Sequence, residues 1–230
     1  MKMKKFFIVT AFLLVAAGMY ADDANWLDAG FRAGGGFYPA GGIYVEGGEH
    51  LSPAGDFNLA LCAKSQLIEW FAVKTEVMYV RKYLTVDMEY NVYKEDSSYQ
   101  LTVDQLNIPL FADFSYAPNN FSFSGYGGVF LGLQLARNRT WTRGGETWNE
   151  AAEHNPVVFG VAAGLTAGYK LGPGKLFVDS RWSNDFEKKP NKTLSWGFFD
   201  FSLGYEVGLF KKNRDARVTG NKEQVVRNEE

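Results

Sequence analysis

At 230 residues and a formal net charge of −2, the chain has room for one domain and lacks the clustered basic excess that a nucleic-acid partner requires. Its single cysteine, Cys62, excludes an internal disulfide and any cysteine-rich metal site. Aromatic residues make up 16% of the chain and there are 25 glycines against 7 prolines, a composition suited to strands whose backbones approach closely.

The chain opens with Lys2, Lys4 and Lys5, then an apolar run from Phe6 to Ala17, then short residues up to Ala21 ahead of Asp22 and Asp23. That layout predicts a secretory signal peptide over residues 1–21, because the run falls short of the roughly 20 residues a spanning helix needs. No later stretch is apolar enough for a membrane helix, so any membrane crossing must rest on strands.

Eight strands are predicted, near 27–38, 55–63, 70–83, 99–116, 121–137, 156–171, 175–186 and 194–210. Each can supply the roughly 9–11 residues of a tilted transmembrane strand. Their connections alternate in length. Tight turns are expected at Lys64–Glu69, Ala117–Asn120 and Gly172–Gly174, two of them with Pro beside Asn or Gly. Longer polar connections are expected at Pro39–Ala54, Leu84–Ser98, Asn138–Asn155 and Glu187–Thr193. Alternation persists into Leu84–Tyr93, which predicts a hairpin projecting beyond the membrane.

Parity decides which face is which. In the last segment Phe199, Phe201, Leu203, Tyr205, Val207 and Leu209 share one face, opposite Asp200, Ser202, Gly204, Glu206 and Gly208. The sixth segment repeats the pattern, with Phe159, Val161, Leu165 and Tyr169 opposite Gly160, Gly164, Gly168 and Lys170. A soluble barrel would put the bulky apolar face inside. Here the small-residue face carries the charges and suits a crowded interior, while the Phe, Tyr and Leu face suits lipid. The fold expected is therefore all-β: a closed antiparallel transmembrane barrel of about eight strands over residues 22–210, joined as an up-and-down meander. Trp26, Trp70, Phe71, Tyr116, Phe121 and Tyr169 then fall into one aromatic girdle, and Phe37, Phe57, Tyr79, Phe159 and Phe199 into the other.

The same parity sends Asp28, Arg32, Lys74, Glu76, Asp113, Lys170, Asp179, Arg181, Asp200 and Glu206 into the lumen. Such a set either lines an ion-selective path or forms a plug of paired charges, and the narrow bore of an eight-stranded barrel favours the plug. Cys62 faces inward as a small filler. In the third outer connection Arg137, Arg139, Trp141, Arg143 and Trp148 form a candidate binding surface, since exposed Trp and Arg are enriched at binding hot spots.

Signals for catalysis are weak. His50 and His154 sit in expected outer loops without metal-ligand partners, so no metal and no cofactor is expected. Arg181-Trp182-Ser183-Asn184 places Arg where a hydroxyl-activating base would stand, so Ser183 is no nucleophile. Gly34-Gly35-Gly36 and Gly47-Gly48 lack the Lys-Ser/Thr of a phosphate loop. Residues 211–230 are polar and without aromatics, and are expected to form a disordered periplasmic tail.

Leu106-Asn107-Ile108-Pro109-Leu110, Tyr126-Gly127-Gly128-Val129-Phe130-Leu131-Gly132 and Phe199-Asp200-Phe201-Ser202-Leu203-Gly204-Tyr205-Glu206 together resemble the PorT-like outer-membrane β-barrel family. Glu69-Trp70-Phe71-Ala72-Val73-Lys74-Thr75-Glu76 is similar to that family's third strand, so the resemblance spans roughly 25–210. It implies a bacterial outer-membrane barrel, loops outside and both mature termini periplasmic, without implying one shared activity; some members take part in secretion. The expected role is a surface barrel that meets an extracellular ligand or stabilises the envelope, with a narrow channel as the alternative and an envelope enzyme such as a lipid A deacylase third. Its expected partners are outer-membrane lipid and the barrel-assembly machinery. It is expected to be a monomer, since a closed barrel has no free edge.

Overall fold

Alternating inward and outward residues over spans of 12 to 23 residues give the chain its long strands. The computed structural model describes residues 27–38, 44–45, 49–88, 97–143, 145–152, 156–188 and 193–210. The expected signal peptide, the expected tail, Trp26 and His154 lie outside the described residues.

In chain order the strands are β1 (Leu27–Tyr38), β2 (Tyr44–Val45), β3 (Glu49–Ile68), β4 (Phe71–Met88), β5 (Ser97–Tyr116), β6 (Phe121–Arg143), β7 (Glu146–Ala151), β8 (Val157–Leu171), β9 (Gly174–Lys188) and β10 (Thr193–Phe210). Eight of them form the barrel. Each long strand pairs antiparallel with its sequence neighbour, and β1 closes the ring by pairing with β10 on one side and β3 on the other. The two short strands are additions at one end, β2 against the start of β3 and β7 against the end of β6.

The two rims differ as the connection lengths predict. On one, β3 and β4 are joined through Glu69 and Trp70, β5 and β6 through Ala117–Asn120, and β8 and β9 through Gly172 and Pro173. Asn119 (φ 58°) and Gly172 (φ 61°) take the left-handed conformation those tight turns need. On the other rim β3–β4 pairing continues to Glu49 and Met88, and β5–β6 pairing to Ser97 and Arg143.

Several expected boundaries move outward. The second strand, expected at 55–63, runs through 49–68. Lys64, Ser65 and Gln66 read as a turn because they are polar, yet Lys64 is buried against Asp113 inside the barrel. The connection expected at Asn138–Asn155 holds the end of β6 and the whole of β7.

Side-chain burial confirms the inside-out assignment. Arg32, Glu76 and Arg181 are each 1% exposed, whereas Leu165 is 70% and Phe201 56% exposed. Inward glycines make room for large side chains across the lumen. A Cβ on Gly164 would lie 2.4 Å from the Tyr126 hydroxyl, and one on Gly160 would lie 2.0 Å from Phe130. The outward aromatics stack at both rims, Trp70 on Phe114 at 6.0 Å and Phe37 on Phe199 at 6.1 Å.

Candidate functional site

The middle of the lumen is one connected ion cluster. Glu76 on β4 is its centre, accepting from Arg181 on β9 at 2.8 and 3.0 Å and from Arg32 on β1 at 3.0 and 3.3 Å. Lys74 reaches the same carboxylate at 3.1 Å and lies over the Tyr126 ring, 4.6 Å from its centroid. Asp179 is the second acceptor. It takes hydrogen bonds from Arg32 at 3.3 Å, Thr166 at 2.8 Å and the Tyr126 hydroxyl at 2.9 Å. That hydroxyl in turn accepts from Arg181 Nε at 2.8 Å. Three cations thus share two carboxylates, and the ring faces of Phe111 and Tyr126 lie 4.9 and 5.2 Å from the Arg181 guanidinium.

Smaller groups lie to either side. Toward the short-turn rim Lys64 donates to Asp113 at 2.7 Å, and Lys175 pairs with Glu206 at 2.6 Å. Asp28, half-buried, stands opposite Lys64 in the β1–β3 ladder. Toward the hairpin rim Asn58 donates to Asp200 at 3.1 Å, and Lys82 pairs with Asp185 while lying 4.5 Å from the Phe198 ring centroid. Leu84, Leu101, Val103, Val158 and Phe198 are buried around that last pair and make the outer lumen largely apolar.

Nine of the ten charges expected in the lumen are there, buried or half-buried. Lys170 is the correction. It has lumen parity but lies one residue before the end of β8, where the side chain emerges exposed at the short-turn rim. Lys64, Lys82, Lys175 and Asp185 were missed, although each follows the parity of its strand (58-60-62-64 on β3, 72-74-76-78-80-82 on β4, 175-177-179-181-183-185 on β9). Cys62 is buried inward as expected.

The outer hairpin divides the candidate surface-loop residues. The β5–β6 register shifts at Asp104/Gln105, where Leu135 is the extra residue on β6. This bulge reverses parity, so Arg137 is buried in the outer lumen and does not belong to a surface loop. Beyond it, Tyr99, Trp141 and Trp148 form a cross-strand row over β5, β6 and β7. Trp141 stacks on Trp148 at 6.2 Å and meets Tyr99 at 4.8 Å, while Arg139 lies over both Tyr99 and Trp141. Trp148 is exposed. The side chain of Arg143 lies outside the described residues.

The profile of the outer membrane protein beta-barrel domain matches residues 27–212. No curated protein matches the sequence. Among solved structures the chain is similar to OprG from Pseudomonas aeruginosa, at 13% identity and a TM-score of 0.46, over 84% of this chain and 98% of that one. It is also similar to AlkL in lipid bilayers, at 17% identity and a TM-score of 0.43, covering 84% and 93%. Ail of Yersinia pestis is a third, at 10% identity and a TM-score of 0.37, covering 80% and 99%.

Proposed function

The chain belongs to the outer membrane protein beta-barrel domain family, and from that premise we propose that it is a closed-lumen surface barrel whose outer hairpins meet external ligands. One observation carries the reading: the charges at the middle of the lumen are spent on one another. Five charged groups on β1, β4 and β9 span the bore in one hydrogen-bonded layer, with no side chain of the layer's core exposed. An ion entering would have to break that layer, and the apolar ring of Leu84, Leu101, Val103, Val158 and Phe198 lies outside it.

In this reading the hairpin rim faces outside and the short turns face the periplasm, the usual anatomy of bacterial barrels. Both mature termini are then periplasmic. The aromatic row Tyr99–Trp141–Trp148 with Arg139 is the surface offered to an extracellular partner. The PorT-like motifs, at Leu106–Leu110 and Phe199–Glu206, are the basis for placing the chain in that branch of the family. The barrel acts as a monomer without cofactor, delivered after signal cleavage and folded by the barrel-assembly machinery.

Planar-bilayer recording tests the proposal. The purified barrel should give no steady conductance in molar salt. Steady single-channel steps that change selectivity in Glu76→Gln would replace this reading with that of a narrow channel.

A further inference from the structure

The outer lumen holds more hydrogen-bonding capacity than its own side chains use. Gln105 on β5 and Gln134 on β6 stand directly opposite each other beside the bulge, and both border one small cavity. Asp185 on β9 borders the same cavity. Three oxygens of these residues, Gln105 Oε1, Gln134 Oε1 and Asp185 Oδ1, are buried and accept no hydrogen bond from the protein. Asp56 and Ser65 also leave a buried oxygen without a donor, but neither borders this cavity.

Other bonds hold the three acceptors as they are. Gln105 Nε2 donates to Asn107 Oδ1 at 2.6 Å, which fixes the end of the amide that carries Oε1. A Cβ on Gly132 would lie 2.3 Å from that Nε2, so glycine there gives the amide its place. Lys82 donates to Asp185 Oδ2, leaving Oδ1 as the second acceptor of a carboxylate that is 4% exposed. Gln134 and Arg137, three residues apart, would take opposite faces of a regular strand. The bulge brings both to the one cavity. Its other walls, Leu84, Leu101, Val103, Val158 and Phe198, are hydrocarbon.

We propose that this cavity binds a single water molecule as a fixed part of the barrel, tying β5 and β6 to β9 across the outer lumen. The space measures about 20 Å³. One water needs roughly 10–15 Å³ on that measure, and two would need twice as much. The ligand must give protons to oxygen and carry no net charge. Lys82 and Arg137 already face one carboxylate there, so a cation would add to a positive surplus. An anion would meet three acceptor oxygens. Water donates first to Asp185 Oδ1, because an ionised oxygen is the stronger acceptor. Its second proton goes to the facing amide oxygens, and its lone pairs remain for Lys82 or Arg137. Buried waters characteristically join about three polar groups that the protein leaves unsatisfied. The middle ion layer and the orientation of the barrel play no part in this site.

Crystals of the full chain in detergent, diffracting well enough to show ordered waters, test the site. One peak should lie within about 2.7–3.2 Å of Asp185 Oδ1 and of a glutamine Oε1. In solution the Gln105 and Gln134 side-chain amide protons should show cross-relaxation with a long-lived water. The double variant Gln105→Leu/Gln134→Leu removes two acceptors at similar size. It should lose the peak and keep the folded barrel's gel mobility, while Ser180→Ala, on the lipid-facing wall, should keep the peak. The site is overturned if no peak is found, if the Lys82 ammonium fills the space, or if the peak survives the double variant. Ligand distances near 2.4 Å would make the occupant a metal cation. A continuous file of waters would replace the single bound molecule with a wet outer lumen, and the conductance measurement above would then decide the closed-lumen reading separately.

Discussion

Replacing Glu76 by Gln keeps the shape of the side chain and removes the charge on which three cations converge. Arg181, Arg32 and Lys74 approach this carboxylate at 2.8, 3.0 and 3.1 Å, with the Glu76 side chain wholly buried. At an effective dielectric constant of about 20, each contact near 3 Å is worth roughly 5 kcal/mol of Coulomb attraction. The carboxylate's own desolvation, several kcal/mol, is no longer incurred and offsets much of that sum. Removing one partner of a buried ionic group typically costs about 3–5 kcal/mol, because the remaining charges stay buried without compensation. Here the remainder is two guanidiniums and an ammonium sharing Asp179, which favours the upper end.

The loss should appear as a lower urea midpoint for unfolding from lipid vesicles, followed by tryptophan fluorescence, with the slope unchanged. Adding Lys74→Gln to Glu76→Gln removes one stranded cation and should recover part of the loss, giving a non-additive double-mutant cycle. If Glu76→Gln costs less than about 1 kcal/mol, the value of a solvated ion pair, the lumen is wet and the plug argument fails.

The remaining predictions concern facing, topology and packing. In a Cys62→Ala background, a nitroxide at Phe201 should be reached by oxygen and shielded from aqueous nickel complexes, and one at inward Ser183 should lack that lipid signature; the reverse would restore an apolar interior. Gly204 is unsuited to this label, because a Cβ there would lie 2.3 Å from Phe177. Proteinase added to intact cells should cut in the connections on the β4–β5 and β6–β7 side and spare the turns at Pro118 and Pro173; cleavage only after the outer membrane is opened would invert the orientation. Gly164→Val should destabilise the barrel by about 1–3 kcal/mol through displacement of Tyr126, and a neutral result would mean that ring has room to move.

The architecture was legible because period-two alternation is a local signal that survives in a single sequence. Phe199–Gly208 shows its lipid and lumen faces without any partner strand. Ends and polar strand segments were less legible. Lys64-Ser65-Gln66 looks like a turn when read alone, and only Asp113 across the barrel explains a buried lysine there. Parity also says which face a side chain takes and not how deep it lies. Lys170 and Arg181 are both inward by parity, yet one emerges at the rim and the other sits at the centre. Partner choice was beyond the sequence altogether. Arg32, Glu76 and Arg181 are brought together by the closure of β1 onto β10 and β3 and by the stagger of β4 and β9.

The least legible feature has the largest effect on the outer lumen. Nothing in Gln134-Leu135-Ala136-Arg137 announces a bulge, yet Leu135 is accommodated as an extra outward residue and reverses everything after it. Without the bulge Arg137 would point to lipid, where a charge near the membrane midplane costs roughly 2–4 kcal/mol and less toward the interface. With it, Arg137 enters the lumen beside the Lys82–Asp185 pair, and Tyr99, Trp141 and Trp148 share one face of the projecting sheet. A single inserted residue therefore sets which residues seal the outer lumen and which form the aromatic row above it. The bulge links the closed lumen to the outer aromatic surface, and removing Leu135 should disturb both together.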